Sequence, residues 1–193
     1  MAETPSTMLA LGTSMPSFSL TDAVSGDSVT DGKFAGSKAT LVMFICNHCP
    51  FVLHVVDELT RLGVDYLPKS VGLIAINSND IENYPQDDLG QMKKLAASEG
   101  WEFPFLLDDT QEVAKEFKAA CTPDFFLFDN DSKLVYRGQL DDSRPGGSVP
   151  VTGEDLRRAI DAVVAGQAVP ADQKPSIGCN IKWKPGNEPP YFG

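Results

Sequence analysis

Thr40-Leu41-Val42-Met43-Phe44-Ile45-Cys46-Asn47-His48-Cys49-Pro50 is an apolar run that ends in a Cys-x-x-Cys. A run without alternation suits a strand covered on both faces. Beyond it, Val52, Val55, Val56, Leu59, Leu62 and Tyr66 recur at helical spacing, with His54, Asp57, Glu58, Arg61 and Asp65 on the other, solvated side. The stretch therefore reads as a strand delivering two thiols to a helix start. Asn47 suits a helix cap, and Pro50 falls in the first turn, where its missing N–H costs nothing. Cys46 is expected at or just before the cap, exposed to the unpaired N–H groups and the positive end of the helix dipole, with Cys49 one turn inward and shielded. A cysteine of ordinary pKa ~8.5 drops to roughly 3.5–7.5 in such a place. Cys46 is thus the expected nucleophile and Cys49 the resolving thiol. His48, with an ordinary pKa near ~6.5, is expected to stabilise the Cys46 thiolate and carry its proton. Each unit of depression is worth about 1.4 kcal/mol, and stabilising the reduced form makes the pair more oxidising.

Working outward, Val71-Gly72-Leu73-Ile74-Ala75-Ile76-Asn77 is a second buried strand, and the resulting β-α-β unit implies parallel pairing. Gly63 and Pro68 are expected to end the intervening helix. Further helices are predicted over 89–98, 110–119 and 156–164, the last started by Thr152 with Asp155 three residues on. Phe103-Pro104-Phe105-Leu106-Leu107 reads as a short strand. Phe125-Phe126-Leu127-Phe128 and Leu134-Val135-Tyr136-Arg137 read as an antiparallel hairpin, as do Phe18-Ser19-Leu20 and Ser28-Val29-Thr30. Residues 1–16 are expected as a loose arm, and the loop 141–147 as a solvated turn with Arg144 in an ion pair. The tail 167–193 carries Ile177, Ile181, Trp183, Tyr191 and Phe192 among prolines, too apolar for a linker, and is expected to lie extended against the body. We expect a single α/β domain over 1–193, with its core over about 12–166.

The 193 residues, 42% hydrophobic and 22% charged, suit one soluble globule, and the net charge of −11 disfavours a nucleic-acid backbone or an anionic membrane as partner. No stretch approaches the ~18 apolar residues of a membrane span, and residues 1–5 do not begin a signal peptide, so a cytoplasmic protein is expected. Four cysteines are too few for a disulfide framework in a chain this long, which points to thiols used in chemistry.

The order strand, Cys-x-x-Cys helix, strand, helix, then Thr122-Pro123 leading into a hairpin and a final helix, resembles the thioredoxin superfamily. The N-terminal hairpin, the insertion over about 84–107 and the Phe18-Ser19-Leu20 entry resemble its redoxin branch, which includes peroxiredoxins and membrane-anchored thiol-disulfide reductases. Within it, the Cys46-Asn47-His48-Cys49-Pro50 stretch, Asp141-Asp142-Ser143-Arg144-Pro145 and the tail Ser176-Ile177-Gly178-Cys179-Asn180-Ile181-Lys182-Trp183 resemble proteins described as thioredoxin-like or probable thiol-disulfide isomerases. The resemblance implies a thioredoxin-like α/β fold: a central mixed β-sheet flanked by helices, an N-terminal β-hairpin, an inserted helix-strand segment and an extended C-terminal tail. It implies that Pro123 is cis, although X–Pro bonds are mostly trans. It further implies a substrate groove shaped by Asn47, Thr122 and Pro123. The chain departs from thioredoxin at Thr40, where thioredoxin buries a proton-relaying aspartate.

The implied activity is thiol-disulfide oxidoreduction by a cycling Cys46–Cys49 pair, acting on a protein or low-molecular-weight disulfide and recharged by a thiol donor. A peroxiredoxin-like, antioxidant thiol peroxidase is the alternative, although the peroxiredoxin Pro and Thr are absent from both cysteine registers. A metal-binding or purely structural module is the other alternative, weakened because Zn²⁺ wants four ligands and no second ligand pair follows. No metal, nucleotide or flavin cofactor is expected. Cys121 and Cys179 are possible accessory thiols, Cys179 being expected near Cys121 if the tail docks, and otherwise they pack as small hydrophobes.

Overall fold

A computed structural model describes residues 3–192. At its centre lies β4 (Ala39–Phe44), all of whose residues are buried. Two cores account for this. Leu41 and Met43 join the apolar cluster under α1 (Pro50–Tyr66), α2 (Leu89–Glu99) and α4 (Glu154–Val164), whereas Val42 and Phe44 join a second cluster with Phe117 of α3 (Glu112–Phe117) and the tail residues Ile181 and Trp183. Each such side chain withdrawn from water contributes about 1.5–3 kcal/mol before ordering costs, and a strand with both faces filled has no polar position left to alternate with.

Around β4 the main sheet runs in the order β3-β2-β6-β5-β4-β8-β9, with β2 (Ser19–Asp22), β3 (Ser28–Thr30), β5 (Val71–Asn77), β6 (Phe105–Leu107), β8 (Asp124–Asp129) and β9 (Leu134–Gly138). β4, β5 and β6 are parallel because helices cross over between them. The two hairpins are antiparallel, and the sheet is mixed. The parallel strands β4 and β5 end at the same edge, the usual place for a site in such sheets.

A second, antiparallel sheet joins β1 (Glu3–Pro5), β10 (Ile177–Asn180) and β7 (Cys121–Thr122) in the order β1-β10-β7. The expected loose arm is corrected here: Glu3–Pro5 pairs with 177–179, and Leu9 is buried, because β10 presents an unpaired edge that a strand can satisfy. Met1 and Ala2 lie outside the described residues.

Four local expectations also change. Gly63 does not end α1, which continues to Tyr66; a Cβ there would stand 3.1 Å from Phe103 Cε1, so the missing side chain makes room for that ring. The helix expected over 110–119 is confined to Glu112–Phe117. The Asp108 carboxylate takes the N–H groups of Val113 and Ala114, and the Gln111 amide holds the carbonyls of Ser78 and Lys182. α4 starts at Glu154 rather than at 156, and its cap position is Gly153 at φ +67. The distant Asp141 carboxylate receives the N–H groups of Thr152 and Gly153, both at 2.7 Å. The 141–147 loop is therefore not simply solvated. Asp141 and Ser143 are buried, and Arg144 donates to the carbonyls of Asp141 and Ser143 and to Gln139 Oε1 instead of to a carboxylate. Beneath α4, buried Glu58 takes Arg157 Nε at 2.5 Å and Arg61 Nε at 2.6 Å, tying α4 to α1.

Candidate active site

Ile45 extends β4 by donating to the Ile76 carbonyl, and the chain then leaves the sheet through Cys46, Asn47 and His48 before α1 opens at Pro50. The cap position is Cys49, not Asn47. The Asn47 N–H is drawn to Asp87 Oδ1 at 2.8 Å and its side-chain amide to the Gln86 carbonyl at 3.1 Å, so the loop hangs on the 3₁₀ turn Pro85–Asp87. His48 Nδ1 lies 2.6 Å from Asp87 Oδ2, and its ring stacks on Tyr84 at 5.8 Å. Asp87 is fully buried and also receives the Asn79 side chain at 2.8 Å.

Both thiols are covered: Cys46 is 1% and Cys49 0% exposed, which corrects the expectation of an exposed Cys46. Cys46 Sγ is 3.5 Å from Thr122 Oγ1, while Cys49 Sγ is 3.1 Å from the Thr122 carbonyl. The two sulfurs are hydrogen-bond partners, so neither holds its proton independently of the other. Cys49 is lowered to about 4, first because the Cys46 thiol donates to it, with Cys179, Thr122 and the Val52 N–H adding to this against its burial. Cys46 is pushed well up by its donor role towards Cys49, by burial and by the Asp87 carboxylate. The Thr122 carbonyl opposes charge on Cys49, but one acceptor stands against several donors, and we assign the thiolate to Cys49. That reverses the sequence expectation. The sulfur in the cap position is the second cysteine, and the carboxylate facing the first comes from beyond β5, with only the polar 84–88 stretch to hint at it.

The Thr122–Pro123 peptide is cis. Thr122 and Pro123 are buried, and Thr122 pairs in register with Cys179 of β10, so the tail occupies the backbone expected to face a substrate. A Cβ at Gly178 would stand 2.1 Å from the Thr122 oxygen, which is how closely the tail strand passes. Cys179 hydrogen-bonds to Cys49. Cys121 donates to the Pro123 carbonyl at 3.6 Å and has Asn180 as its register partner; burial pushes the Cys121 thiol up and Cys179 lies near enough to add to this, as expected, but the sulfur that Cys179 hydrogen-bonds to is Cys49. His54 is half-buried rather than solvated. Beside Pro123, Ser143 and Arg144 it lines a pocket of about 20 Å³, room for one water, into which no sulfur opens. Among the described residues, Cys46, His48 and Asp87 offer three donor atoms within 4.8 Å of one another, which could hold a metal ion; a structural zinc takes four ligands.

A family model described as Redoxin matches residues 10–156. This chain belongs to the Redoxin family. The redoxin is similar over 96% of its length to an uncharacterized conserved protein from Geobacillus kaustophilus, at 56% identity and TM-score 0.94, with 98% of that chain covered. A hypothetical protein from Sinorhizobium meliloti matches at 47% identity and TM-score 0.93, covering 95% of the redoxin and all of that chain (100%). The thioredoxin domain of a thiol-disulfide oxidoreductase from Bacteroides vulgatus matches at 21% identity and TM-score 0.62, over 81% of the redoxin and 99% of that domain, which makes the fold thioredoxin-like. No curated protein matches. No helix among the described residues is long and apolar enough to cross a membrane.

Proposed function

We propose that this redoxin catalyses thiol–disulfide exchange in the cytoplasm, reducing or rearranging a protein or low-molecular-weight disulfide with the Cys46–Cys49 pair. The observation that carries the reading is that both sulfurs meet at one residue at the start of α1, Cys46 Sγ 3.5 Å from the Thr122 hydroxyl and Cys49 Sγ 3.1 Å from its carbonyl, as hydrogen-bond partners of each other. Cys49 lies under β10 and Cys46 on the side of the half-exposed Asn47 and His48, so Cys46 is the sulfur that meets the substrate. Its proton passes to Cys49, and the Cys46 thiolate attacks one substrate sulfur while the other leaves as a thiolate. Cys49 then gives up its proton, to the departing thiolate or through His48, and attacks Cys46 in the mixed disulfide. The second substrate sulfur leaves, the substrate is reduced by two electrons, and Cys46–Cys49 is oxidised until a thiol donor reduces it. Both sulfurs being buried, the 45–49 loop must open for each encounter.

The test uses glutathione disulfide as probe. In Cys49→Ser protein a glutathione adduct on Cys46 accumulates, whereas wild type releases it and gains a disulfide at Cys49. An adduct equally long-lived in both proteins, or none on Cys46, rejects the reading. Consumption of peroxide with sulfenic acid at one cysteine, without exchange, supports the peroxidase instead.

A further inference from the structure

We propose that Cys179 is a third redox thiol of this site, which takes Cys49 from the Cys46–Cys49 disulfide and so forms a Cys49–Cys179 bridge that fastens the C-terminal strand to α1. The inference rests on the exchange chemistry proposed above and extends it to the tail.

Three features carry it. β10 lies between β1 and β7 with Cys179 opposite Thr122, and cross-strand partners have Cα atoms roughly 4.5–5.5 Å apart. The same Thr122 supplies the carbonyl that Cys49 Sγ touches at 3.1 Å, so both sulfurs are anchored to one residue. Cys49 is also the sulfur that hydrogen-bonds to both Cys46 and Cys179. In thiol–disulfide exchange the sulfur under attack must stand between the incoming and the departing sulfur. Of the four cysteines, Cys49 alone is a hydrogen-bond partner of two others. Cys121 is kept out by register, facing Asn180 across the sheet and bonding to the Pro123 carbonyl.

The step is an isomerisation. Cys179 loses its proton and its sulfur bonds to Cys49 Sγ; the Cys46–Cys49 bond breaks with its electron pair on Cys46; the proton ends on Cys46. No electrons enter or leave, since the two removed from the dithiol went to the substrate disulfide in the preceding turnover. Cys46 becomes a thiol again on the loop side while the oxidising equivalent is held under the tail. The register explains why the tail passes so close to the dithiol: Gly178, whose missing side chain lets it lie on the Thr122 carbonyl, sets Cys179 down on the cap position.

The experiment oxidises the full chain with one equivalent of dithionitrobenzoate, alkylates the remaining thiols and maps the bridges by mass spectrometry. We expect a Cys49–Cys179 bridge with Cys46 alkylated. Cys46–Cys49 as the sole product, with Cys179 alkylated in every molecule, overturns this inference and leaves the exchange reading standing; no bridge at Cys49 at all overturns both. Cys46→Ser protein supplies a kinetic arm that leaves the tail intact. There, one thionitrobenzoate bound at Cys49 should be expelled by Cys179 about a thousandfold faster than by a second protein molecule, the ratio of a millimolar effective concentration to a micromolar one. Retention of that group as in Cys46→Ser/Cys179→Ser protein, or its expulsion with a Cys121–Cys179 or Cys49–Cys121 bridge, overturns the assignment.

Discussion

Replacing Asp87 by Asn keeps the shape of the buried side chain and removes its charge. The Asp87 carboxylate oxygen lies within 4.8 Å of Cys46 Sγ. At that separation a charge on Cys46 would be repelled by about 3.5 kcal/mol at an effective dielectric of ~20; the thiolate on Cys49 lies one sulfur hydrogen bond, ~4 Å, further off, where the repulsion is about 2 kcal/mol, or about 1.4 pKa units. Two N–H donors, from Asn47 and Asn79, already draw on the carboxylate charge, and His48 Nδ1 stands 2.6 Å from it. We therefore expect about one unit of thiolate stabilisation in the coupled pair. The sign follows from which state carries the charge: only the dithiol form holds a thiolate, so removing the carboxylate stabilises the reduced state and raises the reduction potential. At about 30 mV per 1.4 kcal/mol for a two-electron couple, Asp87→Asn should be more oxidising by roughly 30 mV. Equilibration in glutathione redox buffers, quenched by alkylation and read by mass, measures the potential. Thiolate absorbance against pH should move to lower pH in parallel. A potential unchanged or more negative, in a variant that still unfolds cooperatively, would falsify the placement of Asp87 as the charge opposing the thiolate.

Gly178→Ala puts a Cβ 2.1 Å from the Thr122 oxygen, so β10 must lift from β7; iodoacetamide should then modify Cys49 faster than in wild type, and an unaltered rate would mean the tail does not cover it. Asp124 is fully buried, its Oδ1 has no hydrogen-bond partner, and burial raises it from 3.8 to about 7. The unfolded chain therefore loses this proton near pH 4 and the folded one near pH 7, and the group's contribution to stability, full below pH 4, falls as pH rises through that window. Asp124→Asn should shrink the stability difference between pH 5 and pH 8 by about 2 kcal/mol in urea unfolding, and an identical pH dependence in the two proteins would count against a neutral Asp124. Glu58→Gln leaves Arg157 and Arg61 without their carboxylate between α1 and α4; because both arginines reach solvent, we expect a loss of about 1–3 kcal/mol in the same assay, with the dithiol potential unmoved.

The parts of the fold that were legible in the sequence are those whose cause is local. Val52, Val55, Leu59 and Leu62 repeat at the helical period because one face of α1 meets the sheet, and those four side chains are buried. Val71–Asn77 shows no alternation because cores lie on both sides of it. Misreadings came where another segment supplied what the local sequence seemed to lack. Asn47 is a good cap by type, yet Asp87 and Gln86 claim it, and Thr152 looks like the start of a capping box although Asp141 of the preceding loop holds the Thr152 and Gly153 N–H groups, with no side-chain cap at Gly153 itself. Residues 3–5 carry no strand signal of their own and become a strand because the edge of β10 needs partners.

The sequence by itself determined that a dithiol stands between a buried strand and an amphipathic helix, since apolar periodicity and the Cys-x-x-Cys spacing are properties of one continuous stretch. Which sulfur holds the charge, which carboxylate opposes it and which third thiol touches it were decided by tertiary structure alone. Those three outcomes depend on where Asp87, Thr122 and Cys179 arrive after the chain has turned through other elements. Electrostatic and hydrogen-bond terms act over a few ångströms in space, whatever the separation along the chain.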